Sequence, residues 1–302
     1  MSTIPIVAFS VVTGIETFII CVGNAFAIFV FWTQYTGSRR RSSYLLINLA
    51  VTDFFVGVSG LPSLIIDYIP SYLRNKKSED SFTDFFPATL FVLFSAASVV
   101  SLAAISVERT FAVLCPLAHR TTSNKIYVYC VAFIWATGMA QTIVYTLPAF
   151  GVWESNYTAT ILNVVPLLCI LITSLMYIII RAHLKRSPQI IDSLNGNQRQ
   201  NMERNVKLSK TVFLVIALSF ACWVPAVVLY VIRDVFCKEC IPAEVVLVGI
   251  VLHFGNSLVN PIAYICRLSI FKKTLKRLLK RRQECVELKA LPRQERKTDS
   301  LV

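Results

Sequence analysis

Oxygen-bearing side chains recur inside the apolar stretches of this sequence, and their types suggest a chemistry. Asp53 lies in "INLAVTDFF", with Asn24 and Ser98 in neighbouring apolar runs and Asn256, Ser257 and Asn260 together in "NSLVNP". One carboxylate among hydroxyls and amides suits a hard monovalent cation with its waters, or a proton. A structural polar cluster that holds no ion is the competing reading. Snorkelling of Asp53 to an interface is disfavoured, because its side chain is short and apolar residues extend far on both sides. Such groups are costly in hydrocarbon unless paired, so each is a functional candidate. Two further constellations stand out. "SVERTFAVLCPLAHR" sets Glu108 beside Arg109 at the end of an apolar run, either as a boundary pair or as a working ion pair. "SFACWVPAVV" sets Trp223 two residues before Pro225, whose ring kinks a helix and frees a backbone carbonyl. None of these residues is assigned a catalytic role, and the chain is not expected to be an enzyme.

Long apolar runs must position these groups. The chain is 55% hydrophobic and only 16% charged, against about 25% charged in soluble domains. It would need an outsized core unless lipid is its solvent. Seven runs reach the roughly 20 residues that cross hydrocarbon: about 5–32, 44–70, 85–113, 126–150, 161–181, 208–233 and 243–266. The first has no basic leader and is too long for a cleavable signal peptide, so a retained helix is expected. The fold class read from this pattern is an all-α, seven-transmembrane helix bundle.

Charge placement orients the bundle. The net charge of +13 could point to nucleic acid, but 25 of the 30 Lys and Arg fall on one side of the proposed spans. They lie in Arg39–Arg41, at Arg109, Arg120 and Lys125, between Arg181 and Lys210, and from Arg267 onward. Basic residues gather on the cytoplasmic side, which places the N-terminus outside, the C-terminus in the cytoplasm, and no nucleic acid among the partners. The expected location is the plasma membrane. The sequon at Asn156 then falls outside, as a glycosylation site. Cys237 and Cys240 share the last outside loop and could form a local disulfide.

Taken together these stretches resemble the class A (rhodopsin-like) G-protein-coupled receptors over nearly the whole chain. The matching residues are Gly23-Asn24, Asn48 and Asp53 in "NLAVTD", Glu108-Arg109-Thr110, Trp135, Cys222-Trp223-Val224-Pro225, and Asn260-Pro261-Ile262-Ala263-Tyr264. The resemblance implies a receptor that passes binding of an extracellular small molecule or short peptide to a heterotrimeric G protein. It implies a sodium ion at Asp53, Ser98, Trp223, Asn256, Ser257 and Asn260 as allosteric ion, with no other cofactor. It also implies activation roles for Glu108, Arg109, Tyr177 and Tyr264, and a ligand pocket of Asp84, Phe91, Trp223, Val227, Tyr230 and His253, with Glu244 near the mouth. Departures from the family pattern are informative. Asp84 stands where a bridging Cys is usual, Phe91 replaces the Asp of amine receptors, Phe254 replaces the retinal-binding Lys, and Ser219 replaces a Phe below Trp223. Some features are shared with melanocortin receptors and others with adenosine and lysolipid receptors, so the subfamily stays open. The alternatives are an ion channel or transporter using the Asp53 cluster, which has no need of Arg109, and a decoy that binds without signalling.

After the seventh run, Phe271, Leu275, Leu278 and Leu279 alternate with Lys272, Lys273, Lys276, Arg277 and Lys280. That pattern predicts a short amphipathic eighth helix on the anionic inner leaflet, in contact with membrane lipids. The receptor domain is expected to span 1–282, with 283–302 a disordered cytoplasmic tail. Cys285 is a candidate for palmitoylation, and Ser300, Leu301 and Val302 fit a C-terminal ligand for a PDZ domain.

Overall fold

A computed structural model of the chain describes residues 4–34, 39–63, 82–152, 156–186, 196–232 and 241–290. All regular structure among them is helical: α1 (Ile4–Gln34), α2 (Arg39–Ser63), α3 (Phe82–Leu114), the short α4 (Pro116–Thr121), α5 (Asn124–Thr146), α6 (Asn156–Arg186), α7 (Gly196–Val231), α8 (Ala243–Arg267) and α9 (Ser269–Ala290). The helix α3 lies at the centre, packed against α2, α5, α6 and α7, while α8 closes the bundle against α1, α2 and α7.

The burial pattern differs from that of a soluble bundle. Large apolar side chains face outward, with Phe18 69%, Phe133 68% and Leu171 65% exposed. Small and polar residues such as Ala97, Ser101, Thr52 and Asn260 line the inside. In hydrocarbon, association rests on close packing and interhelical hydrogen bonds rather than on hiding Leu, which selects this arrangement. Among the described residues, six helices are long and apolar enough to cross a membrane. In α7 an apolar stretch Ala217–Leu229 stands among the described residues, in the part of the helix that follows the basic, polar opening "GNQRQNMERNVKLSK".

Prolines set the shape of the spans. A proline in a helix leaves the carbonyl four residues earlier without its usual donor, and in lipid another group must supply one. Pro166 in α6 frees the Leu162 carbonyl, and Gln141 Nε2 of α5 donates to it at 3.1 Å. Pro261 in α8 frees the Ser257 carbonyl, and Asn24 Nδ2 of α1 reaches it at 3.4 Å while also donating to Ile20 O. The same bend is seated by Gly23, where an added Cβ would stand 2.8 Å from Pro261 Cβ.

The chain turns at each end of the bundle with local devices. Cys115 breaks α3, and Pro116 starts α4 at the position where a missing donor costs least. At the other end, Leu268 adopts extended backbone between α8 and α9. Phe271 of α9 is then fully buried, with its ring centroid 5.2 Å from Phe31, 5.7 Å from Tyr264 and 5.8 Å from Phe26. Leu275, Leu278 and Leu279 stay exposed beside the lysines, so α9 has the expected amphipathic surface. It is not short: its 22 residues run to Ala290, eight positions into the segment read as disordered tail. The Cys237–Cys240 pair and Ser300–Val302 lie outside the described residues, as do the side chains of Asp84, Asn156, Tyr230 and Cys285. Asn156 itself opens α6 rather than sitting in a loop.

A Cβ at Gly60 would fall 2.1 Å from Phe254 Cε1, whereas nothing lies within 4 Å of one at Gly14. Gly60→Ala should therefore destabilise the fold by about 1–3 kcal/mol through overpacking, and Gly14→Ala should not. Thermal unfolding of the two purified variants in lipid nanodiscs checks this, with equal melting temperatures as the contrary result.

Candidate functional site

The carboxylate of Asp53 is fully buried on α2 and is held from two other helices. Ser98 Oγ of α3 donates to Oδ1 at 2.6 Å, and Ser257 Oγ of α8 donates to the same oxygen at 2.7 Å. Asn260 Nδ2 of α8 donates to Oδ2. Three helices thus converge on one charged group, with spacings set by "SVVS" in α3 and "NSLVN" in α8. Asn260 keeps its Oδ1 without a hydrogen-bond partner, as do the neighbouring Asn24 and Asn256. A carboxylate ringed by spare amide and hydroxyl oxygens is a donor set that fits a hard monovalent cation.

A second polar clasp stands beside it. Asn48 Nδ2 donates to Ser101 Oγ at 2.9 Å, and Trp135 Nε1 donates to Asn48 Oδ1 at 3.0 Å, tying α2, α3 and α5 together. Toward the far end of the spans, Phe91, His253 and Trp223 form an aromatic chain, with centroids 5.2 Å and 5.3 Å apart. Phe254 packs 5.1 Å from Phe91, and Val227 is buried nearby on α7. Below Trp223, a cavity of about 30 Å³ lies between α3, α6, α7 and α8, lined in part by Cys169, Ser219, Trp223 and Asn256. The small side chain of Ser219 leaves this space.

At the opposite end of α3, Arg109 is 4% exposed and pairs with Glu108 through both Nε and Nη2. The other oxygen of Glu108, Oε1, lies 2.6 Å from His119 Nε2 on α4, and Tyr127 Oη lies 3.3 Å from that nitrogen. The arginine is thus held by a carboxylate that is itself held by the turn after α3.

A family model described as 7 transmembrane receptor (rhodopsin family) matches residues 23–156 and 147–264. The chain belongs to the rhodopsin family of seven-transmembrane receptors. Human lysophosphatidic acid receptor 3 is 25% identical over 289 residues, covering 86% of this chain and 78% of that protein. Adenosine receptor A3 of Ovis aries is 25% identical over 303 residues, 89% of each. Squid rhodopsin superposes with a TM-score of 0.75 at 17% identity, over 97% of this chain and 89% of its own, which shows the shared fold. The receptor is a multi-pass membrane protein that couples an extracellular ligand to a G protein, and it is not an enzyme.

The geometry sorts the sequence expectations for the receptor. Asp53, Ser98, Ser257 and Asn260 come together as expected. Trp223 and Asn256 do not touch the Asp53 carboxylate; Trp223 sits one layer away, against His253 and the cavity. The Tyr177 hydroxyl accepts from Arg181 Nη1 at 2.8 Å, and its ring stacks on Phe213 at 3.4 Å, so it is engaged away from Arg109 in this conformation. Tyr264 is buried between Phe31 and Phe271. Glu244 is exposed in the first turn of α8. Three groups escaped the sequence reading. Gln141 could have been found from its polarity in an apolar run and from Pro166 beyond it. Glu16, in α1, is buried although ionisable. His119 carried no sequence signal, because only the turn at Cys115–Pro116 brings it back to Glu108.

Removing the imidazole should loosen Glu108 and with it Arg109. A charge-assisted bond contributes about 1.5–3 kcal/mol; losing about 1 kcal/mol of it from the inactive state shifts the equilibrium about fivefold. His119→Ala should therefore raise ligand-free nucleotide exchange several-fold, and His119→Gln, which can still donate, should stay near wild type. A reconstituted exchange assay checks the pair, and unchanged basal exchange in His119→Ala is the contrary result.

Proposed function

We propose that the receptor binds a small, largely apolar ligand among Phe91, Trp223, Val227 and His253, and that a sodium ion at the Asp53 cluster favours its inactive state. The single observation that carries the reading is the convergence of Ser98, Ser257 and Asn260 on the buried Asp53 carboxylate. Such a node exists only when α2, α3 and α8 hold one mutual arrangement, so it can report on the conformation of all three. Asp53, Ser98, Ser257 and Asn260 would hold the ion, with Asn24 and Asn256 in reserve, and the ion would supply the positive charge that the carboxylate otherwise lacks. The names of the relatives, receptors for lysophosphatidic acid and for adenosine, support a small-molecule ligand. So does the aromatic lining, in which His253 and the Trp223 indole nitrogen offer the few polar contacts.

In this reading an agonist prefers the state in which Trp223 and the bend at Pro261 have moved, and its differential affinity sets how far the population shifts. Arg109 then leaves Glu108 for the G protein, and Tyr177 exchanges Arg181 for the vacated interior. The N-terminus lies outside the plasma membrane and α9 lies along the inner leaflet, as the distribution of basic residues supports.

Two substitutions test the proposal. Asp53→Asn should abolish the effect of sodium on agonist affinity; a sodium response equal to wild type overturns the site. Arg109→Ala should keep surface expression and lose at least about tenfold in agonist-stimulated nucleotide exchange, corresponding to about 1.4 kcal/mol. Normal exchange in that variant would remove Arg109 from the coupling step.

A further inference from the structure

Glu16 lies near the middle of α1, in "VVTGIETFII", with apolar residues on both sides. It is 7% exposed, and Oε2 has no hydrogen-bond partner. Oε1 stands 3.6 Å from the point where a Cβ on Gly255 would be, and Cys222 Sγ stands 3.2 Å from the same point. The carboxyl group is therefore wedged where α1, α7 and α8 meet, in room that a glycine provides. It is not part of the Asp53 cluster. Eight residues separate it from Asn24, about 12 Å along the helix.

The surroundings offer no compensation. From α7 the titratable group facing Glu16 is the Cys222 thiol, and α8 presents the Gly255 backbone. The His253 ring, two residues earlier, lies against Phe91 and Trp223. Among the described residues Glu16 forms no ion pair. A buried carboxyl group in a membrane span either takes a positive charge or destabilises the fold, and such residues mark ion or proton sites. Its position gives that charge a lever: Cys222 precedes Trp223, and Gly255 precedes Asn256.

We propose that Glu16 is a second monovalent-cation site of the receptor, separate from Asp53, which takes up a proton or a sodium ion and thereby fastens α1 to α7 and α8. A cation bound there stabilises the arrangement in which the three helices touch, and its release frees the segment of α7 that carries Trp223. The proposal does not depend on the reading of the Asp53 cluster.

The test uses the full chain in lipid nanodiscs, as wild type, E16Q, D53N and D53N/E16Q. Thermal unfolding is followed against added NaCl, with N-methylglucamine chloride as the ionic-strength control, and separately against pH. Binding to the folded state raises its melting temperature, and D53N is expected to keep a rise of about 2–4 °C with sodium or with acidification. D53N/E16Q is expected to lose it. A rise with sodium at fixed pH identifies the occupant as sodium, and a rise with acidification alone identifies it as a proton. The proposal is overturned if D53N responds to neither cation, or if E16Q leaves its response unchanged. Should D53N fail to fold, responses of equal size in wild type and E16Q overturn it equally.

Discussion

Asp53 sits where a carboxylate is tolerated only if protein atoms replace the water it has lost. That constraint organises the bundle. The oxygens take donors from Ser98 on α3 and from Ser257 and Asn260 on α8, so three helices are fixed in rotation and in height by one side chain. No hydrophobic drive distinguishes one apolar helix face from another inside lipid, and polar contacts of this kind set the register. The Asn48 clasp repeats the logic between α2, α3 and α5 with neutral groups. Two of its partners, Ser257 and Asn260, lie within the turn before Pro261 on α8.

Backbone carbonyls impose the second constraint. Pro166 and Pro261 each free one carbonyl, and each is served by a side-chain amide from another helix, Gln141 and Asn24 respectively. Bending is thereby purchased without leaving a bare polar group in lipid. Gly23 lets α1 lie against Pro261 itself, and Gly60 does the same for the Phe254 ring. Close approach also occurs at Gly57, where an added Cβ would stand 2.7 Å from Cys21 Sγ, and at Gly138, where it would stand 3.1 Å from Leu93 O.

Much of this was legible in the sequence. Hydropathy located the spans, and Asp53, Ser98, Ser257 and Asn260 were recognisable because polar residues in apolar runs have few excuses. Glu108 and Arg109 were legible as neighbours, but His119 was not, since its meeting with Glu108 depends on the α3–α4 turn rather than on spacing. Tyr177 is legible only by motif; in this conformation its hydroxyl meets Arg181 one turn on and its ring stacks on Phe213 of α7, contacts that spacing alone does not announce. Trp223 was grouped with the Asp53 set, yet an indole one layer up cannot touch the carboxylate. The length of α9 was underread because its second half is too polar to show an apolar stripe; helix propensity and charge carry it onward to Ala290.

The two amide donors share a property of chain order. Asn24 precedes the Ser257 carbonyl by 233 positions, and Gln141 precedes that of Leu162 by 21. During synthesis from the N-terminus, each proline-bent span therefore emerges after the helix that carries its donor. The α5–α6 pair can close as soon as α6 is made, whereas Asn24 must wait for almost the whole polypeptide. Until then Asn24 has only the Ile20 carbonyl of its own helix to bond, and the arrival of α8 completes both partners at once. The last span to be translated thus completes a bond begun on the first, and a chain truncated before α8 would leave the Asn24 amide without its interhelical partner.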